Sequence, residues 1–215
     1  MSQREFLPAA GRDVFLPLYD PIVSLLGFDS ARRELVSGAN IEPSNHVLDI
    51  GCGTGTLVVK LKRQYGAAHV VGLDPDPKVL RRAHLKAARA AVSVQLDQGV
   101  ADELPYKQDS FDRVFSSFMF HHLNQQEREN MLREVLRVLK PGGSFHCVDF
   151  VVDDASHGFF DRLFRSHAHI RDNSDERIRH LMSHTGFRNP VKVRERNMLF
   201  GLLRTAYYQA GAGSE

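Results

Sequence analysis

Between residues 46 and 152, short runs rich in Val, Ile and Phe alternate with longer segments whose apolar residues recur at helical spacing. Strands buried on both faces read as continuous apolar runs, so this alternation predicts a parallel sheet covered by helices. Residues 46–50 read as the first strand and 57–65 as the first core helix, closed by Gly66. A second strand at 69–73 leads to Asp76 as N-cap and Pro77 at the first position of a helix reaching about Ala90. Residues 92–96 and 111–117 are the third and fourth strands. Asn124 with Glu127 forms a capping box for a helix ending near Leu139; Lys140-Pro141-Gly142-Gly143 stops it, and 144–152 supplies a fifth strand.

Beyond Asp153 the order changes. Helical segments at 159–170 and 174–184 precede two strand-like runs, 191–195 and 199–208, with Arg196-Asn197 reading as a tight turn between them. Strands joined by so short a link are antiparallel, which puts a hairpin at one edge of the sheet. Residues 19–37 read as an amphipathic helical lead-in. A length of 215 residues suits one continuous core. The expected single domain divides into a lid and lead-in (1–40), a core (41–152), a helical insert (153–190) and the hairpin (191–208).

Composition narrows the class. With 42% hydrophobic and 25% charged residues the chain is neither disordered nor collagenous. Its net charge of +2 comes from 28 basic and 26 acidic residues mixed along the chain, which gives no footprint for nucleic acid. No apolar run approaches the roughly 20 residues of a membrane helix, and the opening MSQREFLPAA lacks a basic stretch followed by an apolar one. A cytoplasmic, unprocessed chain is expected. Cys52 and Cys147 are the only cysteines, so a disulfide framework is not expected.

The segment Val47-Leu48-Asp49-Ile50-Gly51-Cys52-Gly53-Thr54-Gly55 falls between a strand and a helix. Glycines there let the backbone turn sharply and approach a ligand, and the acid at the strand end can accept hydrogen bonds from a cationic or hydroxylated one. A plain strand-to-helix turn is the simpler alternative. A dinucleotide fingerprint would want Gly where Thr56 stands and an apolar residue where Asp49 stands, which disfavours NAD.

This run, VLDIGCGTG, resembles the first motif of class I S-adenosylmethionine (SAM) dependent methyltransferases, and further motifs follow in that family's order. Asp74, closing VVGLD, resembles the acid that holds the ribose hydroxyls. Gly99 to Pro105, followed by Ser110-Phe111-Asp112, resembles the adenine-side loop and fourth strand. Residues 116–123 (SSFMFHHL) and LKPGG at 139–143 resemble segments flanking the methyl-transfer pocket in the small-molecule branch, which includes the ubiquinone and menaquinone methyltransferases. The resemblance spans about residues 15–208. It implies an α/β fold: a Rossmann-like three-layer sandwich whose mostly parallel seven-stranded sheet ends in an antiparallel C-terminal hairpin. It also implies a cofactor site built from Tyr19, Asp49, Gly51, Cys52, Gly53, Gly55, Asp74, Pro75, Val100, Ala101, Asp102 and Ser117. One departure stands out: the family often carries Asp at the position of Val100, so its adenine contact passes to Asp102 or to a backbone carbonyl. Asp102 as an ordinary helix-entry acid is the alternative.

Methyl transfer from a sulfonium needs an aligned nucleophile and exclusion of water, with no metal or covalent intermediate. His121 and His122 follow the fourth strand at the edge where such sheets bind ligands, and either is a candidate general base; a histidine satisfied in the core is the alternative. Tyr19 resembles a lid tyrosine near the sulfonium, with simple lid packing as the alternative. His180 and His184, four apart, lack two further ligands for a metal site. Arginines 162, 165, 171, 177 and 179 are interleaved with acids and read as a solvated face. The expected acceptor is a small, largely apolar molecule offering an O, N, S or C nucleophile. Two rival functions are RNA or nucleoside methylation, which would favour a basic patch and an Asn/Asp-Pro-Pro-aromatic motif where Ser117-Phe118-Met119-Phe120 stands, and a SAM-binding module without catalysis.

Overall fold

The computed structural model describes residues 27–151, 173–198 and 203–213. Helix α1 (Phe28–Ser37) leads to β1 (His46–Ile50), α2 (Thr56–Gln64), β2 (His69–Asp74), α3 (Pro77–Arg89), β3 (Gln95–Gln98) and β4 (Phe111–Ser117). A short 3-10 turn (Phe120–His122) then precedes α4 (Gln125–Val138), β5 (Leu139–Val151), α5 (Asp175–His184), β6 (Arg188–Met198) and β7 (Leu203–Gly211). The seven strands form one sheet in the order β3-β2-β1-β4-β5-β7-β6. Pairings from β3 to β5 are parallel, and those of β7 with β5 and β6 are antiparallel.

Side-chain alternation along the strands builds two cores. Leu48, Ile50, Val71, Leu73 and Val114 meet α4 (Met131, Leu132, Val135) and α5 (Ile178, Met182) on one face. Val47, Val70, Phe115 and Val148 meet α1 (Ala31, Leu35) and α2 (Leu57, Val58, Leu61) on the other. Helix, sheet, helix is therefore the layering. The helices begin where local chemistry places them: the Asp76 carboxylate accepts the Lys78 amide at 2.7 Å, and Asn124 with Glu127 forms the full capping box.

Four expectations need correction. The third strand sits at Gln95–Gln98, shifted toward the C-terminus from the expected 92–96 and sharing the last two of those residues, on the half-exposed edge where apolar periodicity fades. The fifth begins at Leu139 directly after α4, so LKPGG ends the helix while already within a strand. Arg196-Asn197 is no turn: both residues lie in β6 and pair with Thr205 and Arg204. The link between β6 and β7 falls in residues 199–202, outside the described residues. An edge strand solvates its outer row, so it accommodates the charged RERN run that reads as a turn. Finally, Val100 to Glu103 is a tight turn closed by an antiparallel bridge, so Asp102 enters no helix. Residues 19–26 of the lead-in and the segment 159–170 also lie outside the described residues. Among those described, no helix is long and apolar enough to cross a membrane.

Candidate active site

From β1 the chain moves outward to β2 and β3, then returns to the far side of β1 as β4. The strand order reverses between β1 and β4, and the carboxyl ends of these parallel strands open the crevice where such sheets bind ligands. The glycine loop lies there. The Gly51 and Cys52 amides donate to the Leu73 carbonyl at 2.8 and 2.9 Å, folding the loop across the end of β2. Gly53 N–H donates to Asp74 Oδ2 (2.9 Å) and Asp76 N–H to Asp74 Oδ1 (3.0 Å). Lys86 of α3 donates to both Thr54 Oγ1 and Thr56 Oγ1, at 2.9 and 2.7 Å, tying the start of α2 to α3.

Two glycines in this loop do different work. Gly55 has φ +76°, and a Cβ there would stand 2.8 Å from the Ala83 Cβ, so it permits α2 and α3 to meet. Gly53, at φ +53°, has nothing among the described residues within 4 Å of where a Cβ would be. Asp49 is fully buried, and among the described residues neither carboxylate oxygen has a hydrogen-bond partner. Burial pushes its pKa up to about 8, with Arg32 pulling the value down and Asp74 adding to the rise. Asp74 also lies above the ordinary carboxylate value, chiefly through burial, while the amides of Asp76 and Gly53 oppose the shift. The Cys52 thiol is buried and held protonated.

On the β3 side, Gly99 N–H donates to the Asp74 carbonyl at 3.3 Å and Gln98 Nε2 to the Pro75 carbonyl at 3.1 Å. The turn holding Val100, Ala101 and Asp102, all half-buried, is thereby joined to the end of β2.

On the β4 side, Ser117 is buried and Phe118 takes φ +56°, its amide donating to the Val148 carbonyl at 2.8 Å. Met119 packs so closely on the glycine loop that a Cβ on Gly51 would run into its side chain. The Phe118 ring lies 4.5 Å from Phe28 and 5.2 Å from Phe150, with the Arg32 guanidinium 5.8 Å from its centroid. His121 is buried; its ring is 4.1 Å from that of His122 and 5.1 Å from Phe150. Its Nδ1 lies 2.6 Å from Asp149 Oδ1, and its backbone amide donates to Asp149 Oδ2 at 3.1 Å.

Asp49, Gly51, Cys52, Gly53, Gly55, Asp74, Pro75, Val100 to Asp102, Ser117, His121 and His122 are thus gathered along one edge. Tyr19 lies outside the described residues. His180 and His184 stand apart on α5 with rings 6.3 Å apart, and among the described residues no three metal-ligating side chains converge. Arg179 is engaged with Asp175 at 3.2 Å on that helix. Sequence reasoning missed Phe28, Arg32 and Asp149. Only Asp149 left a trace, as an acid interrupting the apolar run of β5.

Comparison with known proteins agrees with this geometry. Residues 47–143 match the family described as methyltransferase domain. An uncharacterized methyltransferase of Synechocystis sp. is 39% identical over 51% of this chain and 49% of its own length. The demethylmenaquinone methyltransferase of Deinococcus radiodurans is 34% identical over 69% of this chain and 61% of its own. The chain thus spans about half to three fifths of the curated relatives it matches. Among solved structures, the YcgJ protein of Bacillus subtilis superposes with a TM-score of 0.75 at 19% identity, covering 86% of this chain and 99% of that one. Phosphoethanolamine N-methyltransferase 2 of Haemonchus contortus, in complex with SAM, gives 0.77 at 16% identity over 100% of this chain and 60% of that one. Sequence match and fold agree: residues 47–143 are similar to the methyltransferase domain family, and the sheet is of the kind that a solved methyltransferase shares.

Proposed function

We propose that the chain transfers the methyl group of SAM to a small, largely apolar acceptor seated against Phe28, Phe118 and Phe150. The aromatic cluster carries this reading, because Met119, next to Phe118, abuts the glycine loop at Gly51. The relatives named demethylmenaquinone methyltransferase are in keeping with it.

The residues fit the cofactor. Asp49 offers a cationic group a buried carboxylate without a partner among the described residues, and no described residue stands in the way of close approach at Gly53. Each Asp74 oxygen accepts one backbone amide and keeps a lone pair for a ribose hydroxyl. Pro75 and the turn at Val100, Ala101 and Asp102 flank the adenine, and Cys52, Gly55 and Ser117 complete the walls. Bound SAM supplies a methyl carbon on a sulfonium sulfur; the protein aligns the acceptor and excludes water. Of the lid expected at residues 1–40 and 153–190, α1 and α5 instead pack into the two cores of the sheet, and residues 1–26, including Tyr19, and 153–172 lie outside the described residues.

A screen of phenols, quinols, thiols, amines and an RNA transcript, read by S-adenosylhomocysteine (SAH) release, tests the reading. Turnover of an apolar small molecule supports it. Turnover of RNA alone, or SAM binding with no turnover at all, contradicts it.

A further inference from the structure

We propose that His121, oriented by Asp149, takes the proton from a hydroxyl-bearing acceptor, one with an aromatic or enolic O–H. This rests on the methyl-transfer reading above and adds the attacking atom to it.

Asp149 is wholly buried on β5, and three donors converge on its carboxyl group. Oδ1 lies 2.7 Å from the Phe150 amide and 2.6 Å from His121 Nδ1, and Oδ2 is 3.1 Å from the His121 amide. Both oxygens already act as acceptors toward backbone N–H groups, so the third contact is completed by a proton on Nδ1. A neutral imidazole protonated at Nδ1 keeps its lone pair on Nε2. Among the described residues nothing hydrogen-bonds to that nitrogen. The backbone hydrogen bond to Oδ2 fixes the turn as well as the ring, which separates His121 from its neighbour. His122 is half-exposed.

The dyad stands beside the cofactor loop. Two residues before His121, Met119 packs on Gly51, and the His121 ring lies 5.1 Å from Phe150 of the aromatic cluster. A flat ring carrying an O–H suits that wall. A hydroxyl is also the nucleophile that needs this help. A phenol ionises near pH 10 and is a poor nucleophile while protonated, whereas a neutral amine attacks with its own lone pair and a thiol ionises near about 8.5. In the step proposed, the acceptor's O–H bond breaks and an N–H bond forms at Nε2. The electron pair stays on oxygen as the nucleophile, and the imidazolium rests against the Asp149 carboxylate until water removes the proton.

The test uses 4-nitrocatechol, whose ionised form has its own visible absorption band, titrated into the full chain with SAH present. Wild type should bind it as the phenolate, and His121→Gln as the neutral phenol. Long-range 1H–15N NMR of the wild type, which needs no variant, should show His121 protonated at Nδ1 and bare at Nε2. Asp149→Asn should reverse or scramble that tautomer and shift bound 4-nitrocatechol toward the neutral phenol, the second of which a purely structural contact would not require. SAM affinity, measured on the same samples, should stay within about threefold. Failure of wild type to bind SAM would defeat the methyl-transfer reading itself. With SAM bound, any of three results overturns the dyad alone: an Nε2–H tautomer, phenolate binding by His121→Gln equal to wild type, or no binding of 4-nitrocatechol.

Discussion

The amide of Gly53 donates to Asp74 Oδ2 at 2.9 Å, so the glycine loop and the end of β2 are a single unit. Asp74→Ala removes that anchor together with the acceptor proposed for the ribose hydroxyls. Hydrogen bonds to a charged partner contribute about 1.5–3 kcal/mol, so SAM affinity should fall roughly 10- to 150-fold while the melting transition stays cooperative. Calorimetric titration and thermal melting on one sample check it. An unchanged dissociation constant would reduce Asp74 to a loop anchor.

Gly53 and Gly55 should respond differently to the same substitution. Both have left-handed φ values, so alanine costs about 1–2 kcal/mol of backbone strain at either. Gly55→Ala additionally drives a methyl into Ala83, adding overpacking of about 1–3 kcal/mol, and should lower the melting temperature more. Gly53→Ala meets no neighbour among the described residues and should weaken SAM binding by more than it weakens the fold. Equal melting losses in the two variants would show that the loop's close approach to α3 carries no strain.

Asp49 makes cofactor binding a proton-linked event. Burial raises its folded-state value from 3.8 to about 8, so at neutral pH the folded protein holds a proton that the unfolded chain has released. The stabilisation from that bound proton is complete below about pH 4 and is lost as pH rises toward 8. A cationic ligand group requires the carboxylate. SAM affinity should therefore rise with pH across that window, by at most tenfold per unit, and level off above about 8. Titration at pH 7 in two buffers of different ionisation enthalpy should reveal release of close to one proton in wild type and none in Asp49→Asn. Buffer-independent enthalpies in wild type would contradict this.

What the sequence reveals follows the range of the interaction. β1 and β4 fall at the expected residues because apolar runs bounded by Gly and Asp are local signals, and the Asp76 cap and Asn124/Glu127 box are complete within four residues. The glycine loop and Asp74 are legible for the same reason. The His121 contact with Asp149 spans 28 residues and exists only because β4 and β5 are neighbours in the sheet. Phe28, Phe118 and Phe150 likewise come from three distant segments. The charged residues of β6 mimic a turn because nothing in their spacing reveals that Arg196 reaches Ser30 and Glu34 on α1.

The lid expected from residues 1–19 has its own consequence. Deleting residues 1–19 should abolish methyl transfer while SAM binding survives within about tenfold, because closure serves orientation and water exclusion. If the truncated protein loses both cofactor binding and cooperative melting, those residues complete the core instead.

Titration of the intact chain with SAM, SAH and NAD is the most direct measurement. Asp49, Gly53 and the Asp74 carboxylate should together bind SAM and SAH. NAD should show no comparable heat, since Thr56 replaces the third glycine of a dinucleotide loop. Saturable SAM and SAH binding without NAD binding is the expected result; tighter binding of NAD than of SAM would contradict the assignment of this site.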